Sequence, residues 1–362
     1  MFCATAKWPC PVILTDYRFS ADKALDEAHG GTHVLHQWAI GRAAFGGLRY
    51  LNQTTRAALF DYRQDLSERV RNAARVELAE WLKKLPPSRI FVLPNATGTR
   101  DQLPATLCWQ ALSAPDGAAQ MRGTCWTRNG HLITPLYPDA PLLKDVQKVQ
   151  QAEWLRRWQE PVLTCKRKHA YLSQDAFAAL VRMVSAKVVA VDIETMTTGN
   201  LITAIGVSDG HTAVSVPYDT YRPYQHTEDE PGWRMYGDLG VSCRTVVSEI
   251  LSSSSIKVFH NYTFDKPRLE AEGFTIGGTV HDTFAAHAIA WPELQHGLQH
   301  ACASLLNVPP WKSVYHPQLK GITRDDEEFW IADPVALRDY NCDDAFYTWH
   351  LAAHLLGSVE VK

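Results

Sequence analysis

No stretch of the chain approaches the roughly 18 consecutive apolar residues of a membrane span, and the opening text, MFCATAKWPCPVILTDYRF, lacks a basic segment followed by a long apolar one. A soluble, cytoplasmic protein is expected. Nor is there a CxxC pair, or the dense cysteine spacing of a secreted disulfide scaffold. The eight cysteines (Cys3, Cys10, Cys108, Cys125, Cys165, Cys243, Cys302 and Cys342) are scattered, so reduced and mostly buried thiols are expected. Charge of one sign is not in excess: a formal net charge of −3 says nothing in bulk about a nucleic-acid partner, although a site built from carboxylates would itself push the balance negative. Internal repeats and low-complexity tracts are also missing, apart from a run at Ser252 to Ser255 that reads as a turn.

What is present is ordinary globular text. A chain of 362 residues that is 46% hydrophobic has room for two packed domains. The segment LSERVRNAARVELAEWLKKL at 66 to 85 carries apolar residues at helical spacing until Pro86-Pro87, and RIFVLP follows as a strand. Lys144 to Trp158 reads as a helix, and the basic stretch TCKRKHAYLS at 164 to 173 places a domain boundary near residue 168. Beyond a helix at Ser173 to Ser185, three β-rich runs (KVVAVDIET, LITAIGVSDG and HTAVSVPY) form a meander, the last two joined through Asp209-Gly210. Residues 219 to 240 read as an exposed insertion. A helix at about 242 to 251, a strand IKVFHN, a helix from Phe264, and helices near 282 to 290, 297 to 306 and 334 to 356 complete a mixed α/β layer fold.

Four acids carry the chemistry. Asp192 and Glu194 are two apart on a strand, so both side chains leave the same face of the sheet. The preceding VVAV run implies burial, where two neighbouring carboxylates are costly unless divalent cations or protons neutralise them. Asp265 follows Asn261 at a strand-to-helix junction, a position that by itself also suits a helix dipole partner. Tyr340 and Asp344 are four apart on a late helix and share a face, whereas Asp343 is rotated about 100° away.

Taken in order, DxE on a strand, N-x3-D at a strand-to-helix junction and Y-x3-D on a helix resemble the DEDDy exonucleases, most closely the proofreading domains of family-A DNA polymerases. The resemblance covers about residues 170 to 356 and includes HDTFAAHAIAWPELQHGLQHACASLLN. It implies a ribonuclease H-like fold over 169–362. It also implies that Asp192, Glu194, Asp265 and Asp344 are ligands of two divalent metals, Mg²⁺ or Mn²⁺, and that Tyr340 orients the attacking water. By the same resemblance Thr195 and Asn261 meet the substrate strand; Phe264 and Met196 offer apolar walls for unstacked bases. Oxygen ligands suit these hard cations, and a pair of them can activate water and stabilise the leaving 3′-oxygen.

The expected activity is thus 3′→5′ hydrolysis of single-stranded or frayed DNA, of the proofreading type, in the replication of a phage or its bacterial host, with a DNA polymerase or other replication proteins as partners. The alternatives are RNA 3′-end trimming of the RNase D kind and a non-catalytic scaffold module. Only Ala345 to Lys362 follow the last motif, so a stand-alone nuclease, a polymerase fragment or one subunit of a split enzyme is expected. Lys166, Arg167 and Lys168 form the basic stretch expected to meet the strand.

Residues 1–168 carry no comparable signature. The text from the helix before Pro86 to Trp158 resembles the C-terminal portion of a family-4-type uracil-DNA glycosylase. Tyr137-Pro138 stands where that family has His-Pro, and neither its water-activating motif nor a four-cysteine iron–sulfur cluster is found. This resemblance implies at most a degenerate, non-cleaving version of that domain; a structural or partner-docking α/β domain is expected ahead of a DNA-binding one.

Overall fold

A computed structural model describes residues 11–15, 49–50, 83, 87, 89–93, 122–128, 130–137, 145–157, 160–195, 202–218, 237–312 and 334–356. The helix expected at 66 to 85 and the insertion expected at 219 to 240 lie largely outside them, as does Met196. The chain divides into two compact units: Met1–Leu163 with Leu306–Ser313, and Thr164–Leu305 with Val314–Lys362.

In the first unit, strands β1 (Pro11–Thr15), β2 (Arg49–Tyr50), β3 (Arg89–Leu93), β4 (Trp126–Arg128) and β5 (His131–Pro135) form a sheet in the order β2-β1-β3-β5-β4. Only the β4–β5 pair is antiparallel, as a hairpin through Gly130 at φ 82°. Helix α1 (Asp145–Arg156) buries Trp154 and Leu155, and Gly123 presses on the Trp154 ring so closely that a Cβ there would come within 2.4 Å of it. The excursion Leu306–Ser313 belongs to this unit through backbone bonds from Cys125 N to Val308 O and from Leu163 N to Asn307 O, both 2.7 Å.

The second unit contains strands β6 (Lys168–His169), β7 (Val188–Thr195), β8 (Ile202–Ser208), β9 (Ala213–Pro217), β10 (Ile256–Phe259) and β11 (Val280–Asp282), and helices α2 (Gln174–Met183), α3 (Gly237–Ser252), α4 (Tyr262–Ala271), α5 (Thr283–Ala290), α6 (Leu298–Leu305) and α7 (Pro334–Leu355). Its sheet runs β11-β10-β7-β8-β9-β6, antiparallel in the β7-β8-β9 meander and parallel elsewhere. This is the mixed α/β sheet of a ribonuclease H-like fold. The basic stretch at 164 to 173 holds the edge strand β6, paired to β9 for only two residues, too short for a period-2 pattern to reveal it. Helix α3 starts at Gly237, five residues before the position its apolar spacing suggests.

The two faces of the sheet are divided by the alternation along β7. Val189, Val191 and Ile193 enter the main core with Leu180 and Met183 of α2 and Val247, Ile250 and Leu251 of α3. Val188 and Ala190 face the other way and pack with Trp349 and Ala352 of α7. Continuing that second face, the next two side chains are Asp192 and Glu194, so the apolar seam against α7 turns acidic at its end.

Candidate metal centre

Carboxylate oxygens of Asp192, Glu194 and Asp344 lie within 4.8 Å of one another, two from β7 and one from α7. The strand delivers its pair by alternation, and the helix delivers Asp344 because Trp349 and Ala352, further along, anchor it on the same sheet face. Glu194 and Asp344 are buried and Asp192 is half-buried. Three like charges at this spacing repel strongly in a medium of reduced dielectric.

Asp265, in the first turn of α4, is buried, and its carboxyl is pushed up to about 9 by that burial and then by the charges of Asp192 and Asp282, against the pull of Arg268. The turn that carries it is tightly specified. Asn261 caps α4 in the left-handed region at φ 74°, a conformation asparagine tolerates better than most residues. Asp282 accepts hydrogen bonds from the backbone N–H groups of Asn261 (2.9 Å), Tyr262 (3.0 Å) and Phe284 (2.9 Å), so one carboxylate caps two helices. Thr283 adds a bond from Oγ1 to Phe259 O at 3.0 Å. Asp282 stands in the sequence simply as part of HDTFAAHAIAWPELQHGLQHACASLLN; its double cap joins segments 20 residues apart.

The other expected residues fall as follows. Tyr340 is half-buried on α7, one helical turn before Asp344. Thr195 is half-buried at the end of β7, just past an irregularity in the β7–β8 register. Asn261 is exposed, and its Oδ1 accepts from Thr263 Oγ1 at 2.9 Å. The Phe264 ring, 39% exposed, is stacked by the Arg268 guanidinium 3.6 Å from its centroid. Lys166 and Arg167 are exposed, but Lys168 is turned inward to Asp343 and Asp339, at 2.7 and 3.3 Å. Burial raises the Asp343 carboxyl to about 6 in spite of Lys168.

The acids suit hard cations: several carboxylate oxygens converge, and the most buried neighbour is driven towards its protonated form when no positive charge compensates it. Asp192, Glu194 and Asp344 are the acids whose oxygens converge in this way; Asp265, the fourth expected ligand, is not within that group and is linked to it through the charge of Asp192. Among the described residues no helix is long and apolar enough to cross a membrane.

The sequence profile of the 3′–5′ exonuclease family matches residues 169–360, more than half of the chain. No curated protein matches it. Two of the solved structures similar to it are the following. One, described as the apo form of the nuclease, is 16% identical, with 55% of this chain and 86% of that chain covered and a TM-score of 0.33. The other, Trypanosoma brucei RNase D, is 18% identical, with 54% and 66% covered and a TM-score of 0.34.

Proposed function

The chain belongs to the 3′–5′ exonuclease family, and from that premise we propose that it hydrolyses the 3′-terminal phosphodiester of single-stranded or frayed DNA, in the proofreading manner, during phage-type replication. The observation that carries this reading is the convergence of Asp192, Glu194 and Asp344 within 4.8 Å, with the buried Asp265 linked to them through the charge of Asp192.

In the proposed reaction a water oxygen attacks the terminal phosphorus, the bond to the leaving 3′-oxygen breaks, and a 5′-mononucleotide departs while the shortened strand gains a 3′-hydroxyl. Two divalent ions, Mg²⁺ or Mn²⁺, supply Lewis-acid activation of the water and charge stabilisation at phosphorus and leaving oxygen when bound. Asp192, Glu194, Asp265 and Asp344 would hold them. Tyr340, with a phenol whose reference pKa is about 10, acts by donating or accepting a hydrogen bond that orients the water, not as a strong base. Thr195, Asn261 and Phe264 border the terminal nucleotides, with Phe264 available for stacking. Preference for DNA rests on the text YNCDDAFYTWHL, which is closer to polymerase-associated members of the resembling family than to RNA-trimming ones. Reading a single strand into this site requires the last nucleotides of a duplex to leave the stack, at a cost of roughly a few kcal/mol.

The test is a time course on 5′-labelled single-stranded, matched and 3′-mismatched DNA and on RNA, with Mg²⁺ or Mn²⁺, for the parent chain and for Asp192→Ala/Glu194→Ala. Single-nucleotide shortening from the 3′ end is expected, slowest on the matched duplex and absent in the double variant. Full activity in that variant removes the assignment of the centre; faster trimming of RNA than of DNA replaces proofreading by RNA processing.

A further inference from the structure

Across the β7-β8-β9 meander, Asp192, Gly206 and Ser215 stand opposite one another in register, one residue from each strand. Asn341 of α7, which is fully buried, lies over this row. Its Nδ2 donates to Asp192 Oδ2 at 2.8 Å and to the Asp192 main-chain oxygen at 3.3 Å, and its Oδ1 accepts from Ser215 Oγ at 2.7 Å. The orientation of the amide follows from the chemistry of its neighbours. A carboxylate only accepts, so the NH₂ end must face Asp192, and the Ser215 hydroxyl must then donate to the carbonyl end. Turning the amide over would set its carbonyl oxygen against the two Asp192 acceptors and lose both of those contacts, although the Ser215 hydroxyl could then accept from the NH₂ end.

Gly206 completes the arrangement by what it lacks. A Cβ at that position would come within 2.7 Å of Asn341 Oδ1 and 2.8 Å of the Asn341 main-chain oxygen, so α7 seats directly on the β8 backbone. Asp344 lies three residues further along the same helix. The strand carboxylate and the helix carboxylate of the centre therefore share one connection, running from Asp192 through the Asn341 amide into the helix that carries Asp344.

We infer that Asn341 is a positioning residue of the metal centre: it fixes the rotamer of Asp192 and the distance between β7 and α7, so that Asp192 and Asp344 meet a divalent cation already oriented. This rests on the reading of the four acids as a cation site and assigns one of them its orienter. Outer partners of ligating carboxylates act in this way, and losing one typically weakens metal binding about 10- to 100-fold. Two hydrogen bonds to one aspartate, at its carboxylate and at its backbone, confine it more than packing alone would.

The experiment is a titration of the metal-free chain with Mn²⁺ alone, followed by the electron paramagnetic resonance signal of free Mn²⁺, beside the Mn²⁺ dependence of turnover. Asn341→Ala is expected to weaken Mn²⁺ binding by about tenfold or more and to raise the half-saturating Mn²⁺ concentration for turnover in parallel, with turnover at saturating Mn²⁺ largely restored. Ser215→Ala, which keeps the amide but removes its anchor, should shift binding in the same direction by less. Asp192→Ala sets the scale for loss of the ligand itself. Parent-like Mn²⁺ affinity in folded Asn341→Ala, with Asp192→Ala impaired, would overturn the role of Asn341 and leave the centre standing. If Asn341→Ala does not fold, unchanged affinity in Ser215→Ala overturns it instead. Equal Mn²⁺ binding by the parent and Asp192→Ala would sink the cation site, and this inference with it.

Discussion

Lys168 Nζ lies 2.7 Å from Asp343 Oδ2, tying the edge strand β6 to the helix that carries the metal-centre carboxylate at the next position. As sequence, Lys166-Arg167-Lys168 reads as a basic grip for a nucleic-acid strand. Its third member is instead spent on a buried acid. Lys168→Met is expected to destabilise the protein by about 1–3 kcal/mol, less than for a fully buried pair because the lysine side chain is 23% exposed. DNA affinity should keep its salt dependence, since no phosphate contact is lost. Thermal unfolding and binding titrations at two salt concentrations check this. An unchanged melting temperature with a shallower salt slope would put Lys168 at the substrate.

Asp265 makes the metal-free protein sensitive to pH in a definite direction. Its folded carboxyl is raised from 3.8 to about 9, so between those values the folded state binds more protons than the unfolded state and stability falls as pH rises. Asp265→Asn keeps the neutral shape. The melting temperature of this variant minus that of the parent should therefore grow from pH 4 to pH 9 in chelator. Adding Mn²⁺ should reverse the difference at the upper end, where the parent gains a cation partner. Parallel melting curves for the two proteins across the range would contradict the burial argument.

Tyr340→Phe should slow single-turnover hydrolysis substantially, roughly in the 10²- to 10⁴-fold range of a lost acid–base or orienting group, while Mn²⁺ and DNA affinities stay close to those of the parent. Rapid-quench measurements on single-stranded DNA decide it. An unchanged rate makes Tyr340 a structural residue.

No uracil excision is expected from the first unit. Tyr137, standing where the resembling glycosylases carry histidine, is buried: its hydroxyl donates to Gln150 Oε1 at 2.6 Å, its N–H donates to Gln151 Oε1 at 2.9 Å, and its ring stacks on Trp154 at 5.2 Å. A side chain so engaged is not presented to DNA. The assay is formation of abasic sites in uracil-containing DNA by the full chain carrying Asp192→Ala/Glu194→Ala, so that strand degradation does not obscure the result. Abasic sites above background would refute it.

The legible parts of this protein are those set by local periodicity. Two-residue alternation placed Asp192 and Glu194 on one sheet face, and a four-residue helical step did the same for Tyr340 and Asp344. The same rule separated Asp343 from Asp344, and Asp343 indeed turns to Lys168. What stayed hidden depends on partners remote in sequence. Asn341 looks like any polar residue in a helix until Asp192, 149 positions earlier, is brought beside it. Its one local sign is an amide between a tyrosine and a buried cysteine. The double cap by Asp282 and the two-residue strand β6 were obscure for the same reason, because neither produces a repeating pattern in its own segment.

The excursion at Leu306–Ser313 bears on how such a protein can be divided. The first unit is not a prefix that ends at Leu163, for it regains a short piece of chain between α6 and α7, and that piece buries Val308 and Trp311. A cut after Leu163 separates the first unit from its strip, and a cut after Ser313 instead divides the second unit, so no single cut releases both units intact. Recombination between relatives at one crossover point would have the same result. The two units are thus not interchangeable cassettes: grafting this nuclease onto another protein requires two junctions, and each must be matched to the other.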